Sequence, residues 1–142
     1  MKTSIGTLLV LLVGGLLLSS CSDRPKVPYP TDAELIARYQ NNREAFQMLA
    51  ENPFDEALQD RLGVITVRVE PGLKSDTYFQ VWIRDLIGTG ASVKGLAYLE
   101  NEPAENRLVS SIDNTVKPGG PGDFDLLIRI ENGWYVFYQS SD

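Results

Sequence analysis

Asn132-Gly133 constrains the fold more than any other dipeptide in this chain. It lies between two runs that alternate apolar and polar residues, and both central residues of a type I′ turn need φ > 0, which Asn and Gly tolerate best. A C-terminal β-hairpin follows. A two-residue turn pairs Glu131 with Trp134, Arg129 with Val136 and Leu127 with Tyr138 on one face. Ile130 with Tyr135 and Ile128 with Phe137 share the other, which reads as core. The face carrying Trp134, Tyr138 and Arg129 is mixed and open to a partner.

The same period of two recurs upstream. Ile65, Val67 and Val69 alternate with Thr66, Arg68 and Glu70 before a Pro71-Gly72 turn. Phe79, Val81 and Ile83 oppose Tyr78, Gln80, Trp82 and Arg84, and Gly88-Thr89-Gly90 turns the chain. Val93 to Glu100 reads as a third strand, Leu108 to Ile112 as a short fourth. Pro118 to Gly122 is a loop by composition.

Helical spacing comes earlier in the chain. Thr31 followed by Glu34 forms a capping box, and Leu35, Ile36, Tyr39, Phe46, Leu49 and Ala50 recur with the helical period. One amphipathic helix is predicted from Asp32 to about Glu51. Asn52-Pro53 ends it and starts a second, short helix with Phe54, Leu58 and Leu62 buried and Gly63 as a left-handed stop. The expected fold class is α+β: an N-terminal amphipathic helix and a short second one, packed on an antiparallel sheet of about five to six strands that ends in a hairpin.

The first thirty residues have another character. Lys2 supplies a positive start, and Ile5 to Leu18 is almost wholly apolar. That length suits a signal-peptide core, since a spanning helix needs about 20 apolar residues. The run closes on Leu18-Ser19-Ser20-Cys21, and Cys21 is the one cysteine of the 142 residues. An aliphatic residue, two small residues and a cysteine resemble the lipobox of a bacterial lipoprotein.

That resemblance implies a signal peptide over residues 1–20 and a mature chain that starts at Cys21. It also implies a diacylglyceryl thioether and an N-acyl chain on that residue. Two or more acyl chains give stable anchoring, at about 0.8 kcal/mol per buried methylene. In lipoproteins of this type, aspartate directly after the cysteine retains the protein in the inner membrane. Ser22 stands there, so the outer membrane with the domain facing the periplasm is expected. Ser22 to Pro30 carries three prolines and reads either as a polyproline spacer, at about 3.1 Å per residue, or as a strap lying on the domain. Residues 21–30 are thus the lipidated cysteine and its tether, and residues 31–142 suit one domain.

Cleavage would remove Lys2 and no acid, leaving 12 basic and 19 acidic residues and taking the net charge from −6 to −7. That argues against nucleic acid as a partner and against adsorption to anionic lipid. A basic partner is compatible, as is a merely solvated acidic surface. Histidine is absent, and the lipid that the resemblance implies would take the one cysteine sulfur. Ser-His-Asp, Cys-His and histidine-based zinc sites are therefore excluded by composition. What remains for catalysis is a carboxylate pair, Glu100 with Glu102 or Asp123 with Asp125, as in glycoside hydrolysis. The second pair, beside the glycine loop, is also the candidate for calcium, which needs six to eight oxygens. No cofactor is expected.

Three segments, Val93-Lys94-Gly95-Leu96-Ala97-Tyr98-Leu99, Leu108-Val109-Ser110-Ser111-Ile112-Asp113 and Gly133-Trp134-Tyr135-Val136-Phe137-Tyr138, resemble a set of small exported or lipidated bacterial proteins. Those carry a Lys-Gly-aromatic-Ala-Tyr strand, a Leu-Val-x-Ser-Leu-Asp segment and a closing Trp-Tyr-x-x-Tyr strand. Leu96 and Ile112 depart from that pattern. The resemblance implies the α+β fold and no particular chemistry. Gly95 in its strand reads as room for a neighbouring ring such as Trp82 or Trp134, or as a place where a ligand approaches the backbone beside Lys94. The function expected is a non-catalytic binding module of the envelope, with an envelope protein or glycan as partner and Trp134, Tyr138 and Arg129 as its surface. An inhibitor or immunity-type protein against an envelope-acting enzyme, and a carboxylate-only hydrolase acting on a glycan, stay open.

Overall fold

The computed structural model describes residues 27–72, 76–86 and 90–142. The segment expected to be a signal peptide, Cys21, the first half of the expected tether and the Gly88-Thr89 part of one turn lie outside the described residues. Three helices, α1 (Asp32–Asn41), α2 (Arg43–Glu51) and α3 (Glu56–Leu62), precede five strands. The strands are β1 (Thr66–Val69), β2 (Thr77–Leu86), β3 (Gly90–Tyr98), β4 (Phe124–Glu131) and β5 (Trp134–Ser141). They form one antiparallel sheet in the order β1-β2-β3-β5-β4, so the α+β class and the closing hairpin hold.

α1 starts where the capping box places it. The Thr31 hydroxyl accepts from the Glu34 amide at 3.2 Å, and Glu34 accepts from the Thr31 amide at 2.7 Å. Thr31→Ala should lower stability by about 1 kcal/mol in a urea melt, without changing the slope of the transition.

The expected single helix is in fact two. Asn42 interrupts it at φ −131° and donates its side-chain amide to the Arg38 carbonyl at 3.0 Å, the local competition that asparagine offers the helical ladder. The second expected helix also starts later. Asp55, not Asn52, caps it by accepting from the Leu58 amide at 3.0 Å, and Phe54 is left outside at 69% exposure instead of joining Leu62 in the core. Gly63 closes it at φ 69°, as a left-handed stop should.

Two bulges redistribute the strand faces. In β2, Gln80 pairs with Gly95 and Trp82 with Lys94, so Val81 is the extra residue. Trp82 thereby joins Phe79 on the helix-facing side, contrary to strict alternation. In β4 the extra residue is Ile130. Glu131 pairs with Trp134 as expected, but Arg129 then meets Tyr135, Ile128 meets Val136 and Leu127 meets Phe137. The hairpin pairs expected beyond the first are therefore off by one residue.

Both sheet faces are buried at their centres. The helices cover Phe79, Trp82, Leu96, Trp134, Val136 and Tyr138. The far face carries Tyr78, Ala97, Leu127, Tyr135 and Phe137, closed by Leu99 and Leu108 from the β3–β4 connection. Arginines roof this cluster: Arg68 lies 4.5 Å from the Tyr78 ring centroid and Arg129 5.5 Å from that of Tyr135. Gly95 is required here, since a Cβ on it would run into the Phe79 carbonyl and press on the Phe137 ring. The ring it makes room for is Phe137, not Trp82 or Trp134.

Leu108 to Ile112 is not a strand. One parallel bridge joins Leu108 to Leu127, and the chain then turns. The Val109 amide still reaches the Leu127 carbonyl, but the amides of Ile112 and Asp113 are spent on Asp32 of α1. The packed body also begins before residue 31: Pro30 is buried, and Tyr29 packs edge-on against Trp82 at 5.1 Å. Tyr29 and Pro30 are thus a strap on the domain, while Val27 and Pro28 stay exposed.

Candidate functional site

Lys94 is the only charged residue of β3, and its side chain is 0% exposed. β3 runs through the centre of the sheet, so the ammonium emerges beneath the N-terminus of α1. There Nζ sits 2.8 Å from Asp32 Oδ1 and 2.6 Å from Asp113 Oδ1. Each carboxylate is held in turn. Asp32 Oδ2 accepts from the Ile112 amide at 2.9 Å, the Asp113 amide at 3.0 Å and the Ser111 hydroxyl at 3.1 Å. Asp113 Oδ2 accepts from the Asp32 amide at 2.7 Å and so satisfies one free donor at the start of α1. The Tyr29 ring covers the cluster, with Nζ 4.3 Å from its centroid.

Burial alone would push the Lys94 ammonium down. Its hydrogen bonds to Asp113 and Asp32 more than reverse this, and its pKa lies above the ordinary lysine value. Burial likewise opposes the Asp113 charge, but the bond from Lys94 holds that carboxyl below the usual range. The Tyr29 phenol is pushed up by burial. A lysine held as an ammonium has no lone pair to offer, so Lys94 is not arranged for nucleophilic or general-base work. It joins the tether end, α1, β3 and the 111–113 turn.

Sequence reasoning missed this cluster. Lys94 stood out beside Gly95, and Asp113 closes another of the segments that carry the resemblance, but nothing in either segment paired them. The available signal was a lone lysine within Val93–Leu99, an otherwise apolar strand that must be buried.

At the far end of α1, about 15 Å away at 1.5 Å per residue, lies the second feature. A groove of about 580 Å³ runs between α2 and the β4–β5 turn. Arg43, Gln47 and Glu51 line one wall, Glu100 and Asn132 the other, and Tyr98 with Trp134 the floor. Glu131 is gripped there by the Arg43 guanidinium, Nε at 2.9 Å and Nη2 at 2.8 Å, and by the Tyr39 hydroxyl. Burial, aided by the bond to Glu131, pushes the Tyr39 phenol up to about 12.

The trio Trp134, Tyr138 and Arg129 does not form an exposed patch. Trp134, 3% exposed, and Tyr138, fully buried, lie on the sheet face that the helices cover, and the Ile130 bulge moves only Arg129 off that face. Arg129 lies on the opposite face, ion-paired with Glu102. The paired carboxylates fare similarly. Glu102 is taken by Arg129, while Glu100 lines the groove. Asp125 is bound by Arg107 at 2.9 Å and by Gln139, and Asp123 accepts from the Asp142 amide. Among the described residues no three acids gather where they could hold a metal ion, and no helix is long and apolar enough to cross a membrane. Ser92 and Tyr138 are buried with hydroxyls that find no partner among the described residues.

No family model matches the chain, and neither a curated protein nor a solved structure matches it.

Proposed function

We propose that this chain is an envelope lipoprotein, acylated on Cys21 and held at the outer membrane, whose domain binds a partner in the periplasm without catalysing a reaction. The observation that carries the reading is the Lys94 cluster. The most reactive-looking group of side chains is internally paired and covered, and it ties the end of the tether into the body. The chain enters at one end of α1 and the open groove lies at the other, so an anchored domain would present the groove away from its own tether.

Intact-mass and lipid analysis of the membrane-extracted chain tests the anchor. The wild-type N-terminus should be acylated Cys21, and Cys21→Ser should remain an unprocessed, unacylated precursor. An unacylated N-terminus at another residue in the wild type would remove the anchor from the reading. Purified sacculi digested by the wild-type protein would remove the non-catalytic part.

A further inference from the structure

We propose that the α2–hairpin groove binds a basic, extended segment of an envelope protein, with Glu51 and Glu100 receiving its lysine or arginine side chains. This rests on the binding-module reading and names the partner chemistry of that groove.

Charge complementarity selects a basic partner. Of the four ionisable side chains that line the groove with formal charge, Arg43 and Glu131 neutralise each other at 2.8 Å. Glu51 and Glu100 remain. Both are exposed, and neither has an ion-pair partner among the described residues. Glu51 stands on the helix wall and Glu100 on the wall beyond β3, so two unneutralised carboxylates flank the half-buried Tyr98 ring. A cationic side chain entering the groove meets acids and a π face together, and its methylene stem covers the aromatic floor. Gln47 and Asn132 add amide groups suited to a peptide backbone.

A neutral glycan would use the same floor but leave both carboxylates without counter-charge. The surplus of acids over the whole domain adds a long-range field of the same sign, which raises the encounter rate with a basic partner.

The test uses the mature lipidated chain in phosphatidylcholine nanodiscs and a dye-labelled, amidated peptide of alternating lysine and glycine, read by fluorescence anisotropy. Binding should weaken as salt rises. Glu51→Gln with Glu100→Gln should raise Kd by about fivefold, the scale expected for two exposed pairs. The control is Glu56→Gln with Glu105→Gln, which removes the same charge from exposed positions outside the groove. That control should change Kd by less than about twofold. Equal losses in the two variants would overturn the proposal in favour of a diffuse acidic surface. Absence of peptide binding by the wild type would overturn it outright, as would co-sedimentation with sacculi that is indifferent to salt and to both substitutions. Partner capture by cross-linking in cells, with no dependence on Glu51 or Glu100, would leave the binding-module reading standing and this one refuted.

Discussion

Lys94→Met should lower the stability of the domain by about 3–5 kcal/mol, nearer the lower figure because Asp113 is partly exposed. The methionine fills a similar volume, so the loss comes from electrostatics. Asp32 and Asp113 are brought together by the backbone donors of Ile112, Asp113 and Asp32, and without the ammonium they face each other uncompensated. For a domain of ordinary stability, 5–15 kcal/mol, this is a large share of the total. A triple variant, Lys94→Met with Asp32→Asn and Asp113→Asn, should recover part of the loss, because the buried charge is then gone rather than unpaired. Urea melts of the three proteins check both statements. A single variant as stable as wild type would mean the cluster contributes nothing to folding.

The pH dependence follows from the same contacts. The folded pKa of Asp113 is depressed, so its contribution is present above the ordinary value of 3.8 and is lost as pH falls through the lowered one. Lys94 is raised above 10.5, so its contribution is present below that value and is lost as pH rises through the folded one. Tyr29 and Tyr39 are raised above 10.0, the latter to about 12, and are also lost on the alkaline side. Wild-type stability should therefore be flat across neutral pH and fall above about pH 10. The difference between wild type and Lys94→Met should shrink in acid, where a protonated Asp113 no longer needs the ammonium.

What the sequence discloses and what it hides divide along physical lines. Local rules are legible. Thr31 and Glu34 satisfy each other within one turn of chain, Gly63 adopts the left-handed conformation a helix end requires, and Gly133, at φ 80°, turns the hairpin. Features set by tertiary competition are not. Nothing at Val81 or Ile130 marks either as the extra residue of a bulge, since neither is glycine or proline and each continues an alternating run. The bulge is decided by which side chains fit beneath the helices. The break at Asn42 is intermediate: asparagine weakens a helix, but whether the chain bends there depends on what the next turn packs against.

The Lys94 cluster was hidden for a related reason. Its three charged members are far apart in the chain, on a helix, a strand and a turn. Asp32 reads as an ordinary acid in a first helical turn, and Asp113 as the residue that follows a short strand. The turn exists because the backbone donors of residues 112 and 113 accept Asp32 as a partner in place of a neighbouring strand. Sequence shows the donors and the acid but not that they meet.

Trp134→Ala is expected to cost about 3–5 kcal/mol, as large aromatic deletions in cores do. The indole is the centre of the helix-facing core. It lies parallel to Phe79 at 5.8 Å between centroids, and Tyr39 at 4.8 Å, Tyr98 at 5.3 Å and Phe46 at 6.1 Å enclose it. Removing it leaves a cavity walled by aromatic rings from two helices and two strands, whose stacked and edge contacts cannot re-form by a small shift. The groove floor would open at the same time, because Trp134 forms part of it. Arg129→Ala makes the contrasting case. Its side chain is 41% exposed and its partner Glu102 more so, and an exposed pair of this kind is worth at most about 1 kcal/mol. If Trp134 were instead a surface anchor, the two variants would melt alike and only partner capture would separate them. Urea denaturation with near-ultraviolet dichroism distinguishes the cases: Trp134→Ala should shift the midpoint far below that of Arg129→Ala and lose the aromatic signal of the packed core. Equal midpoints would place Trp134 outside the core and return it to the surface face that strict hairpin alternation assigns to it.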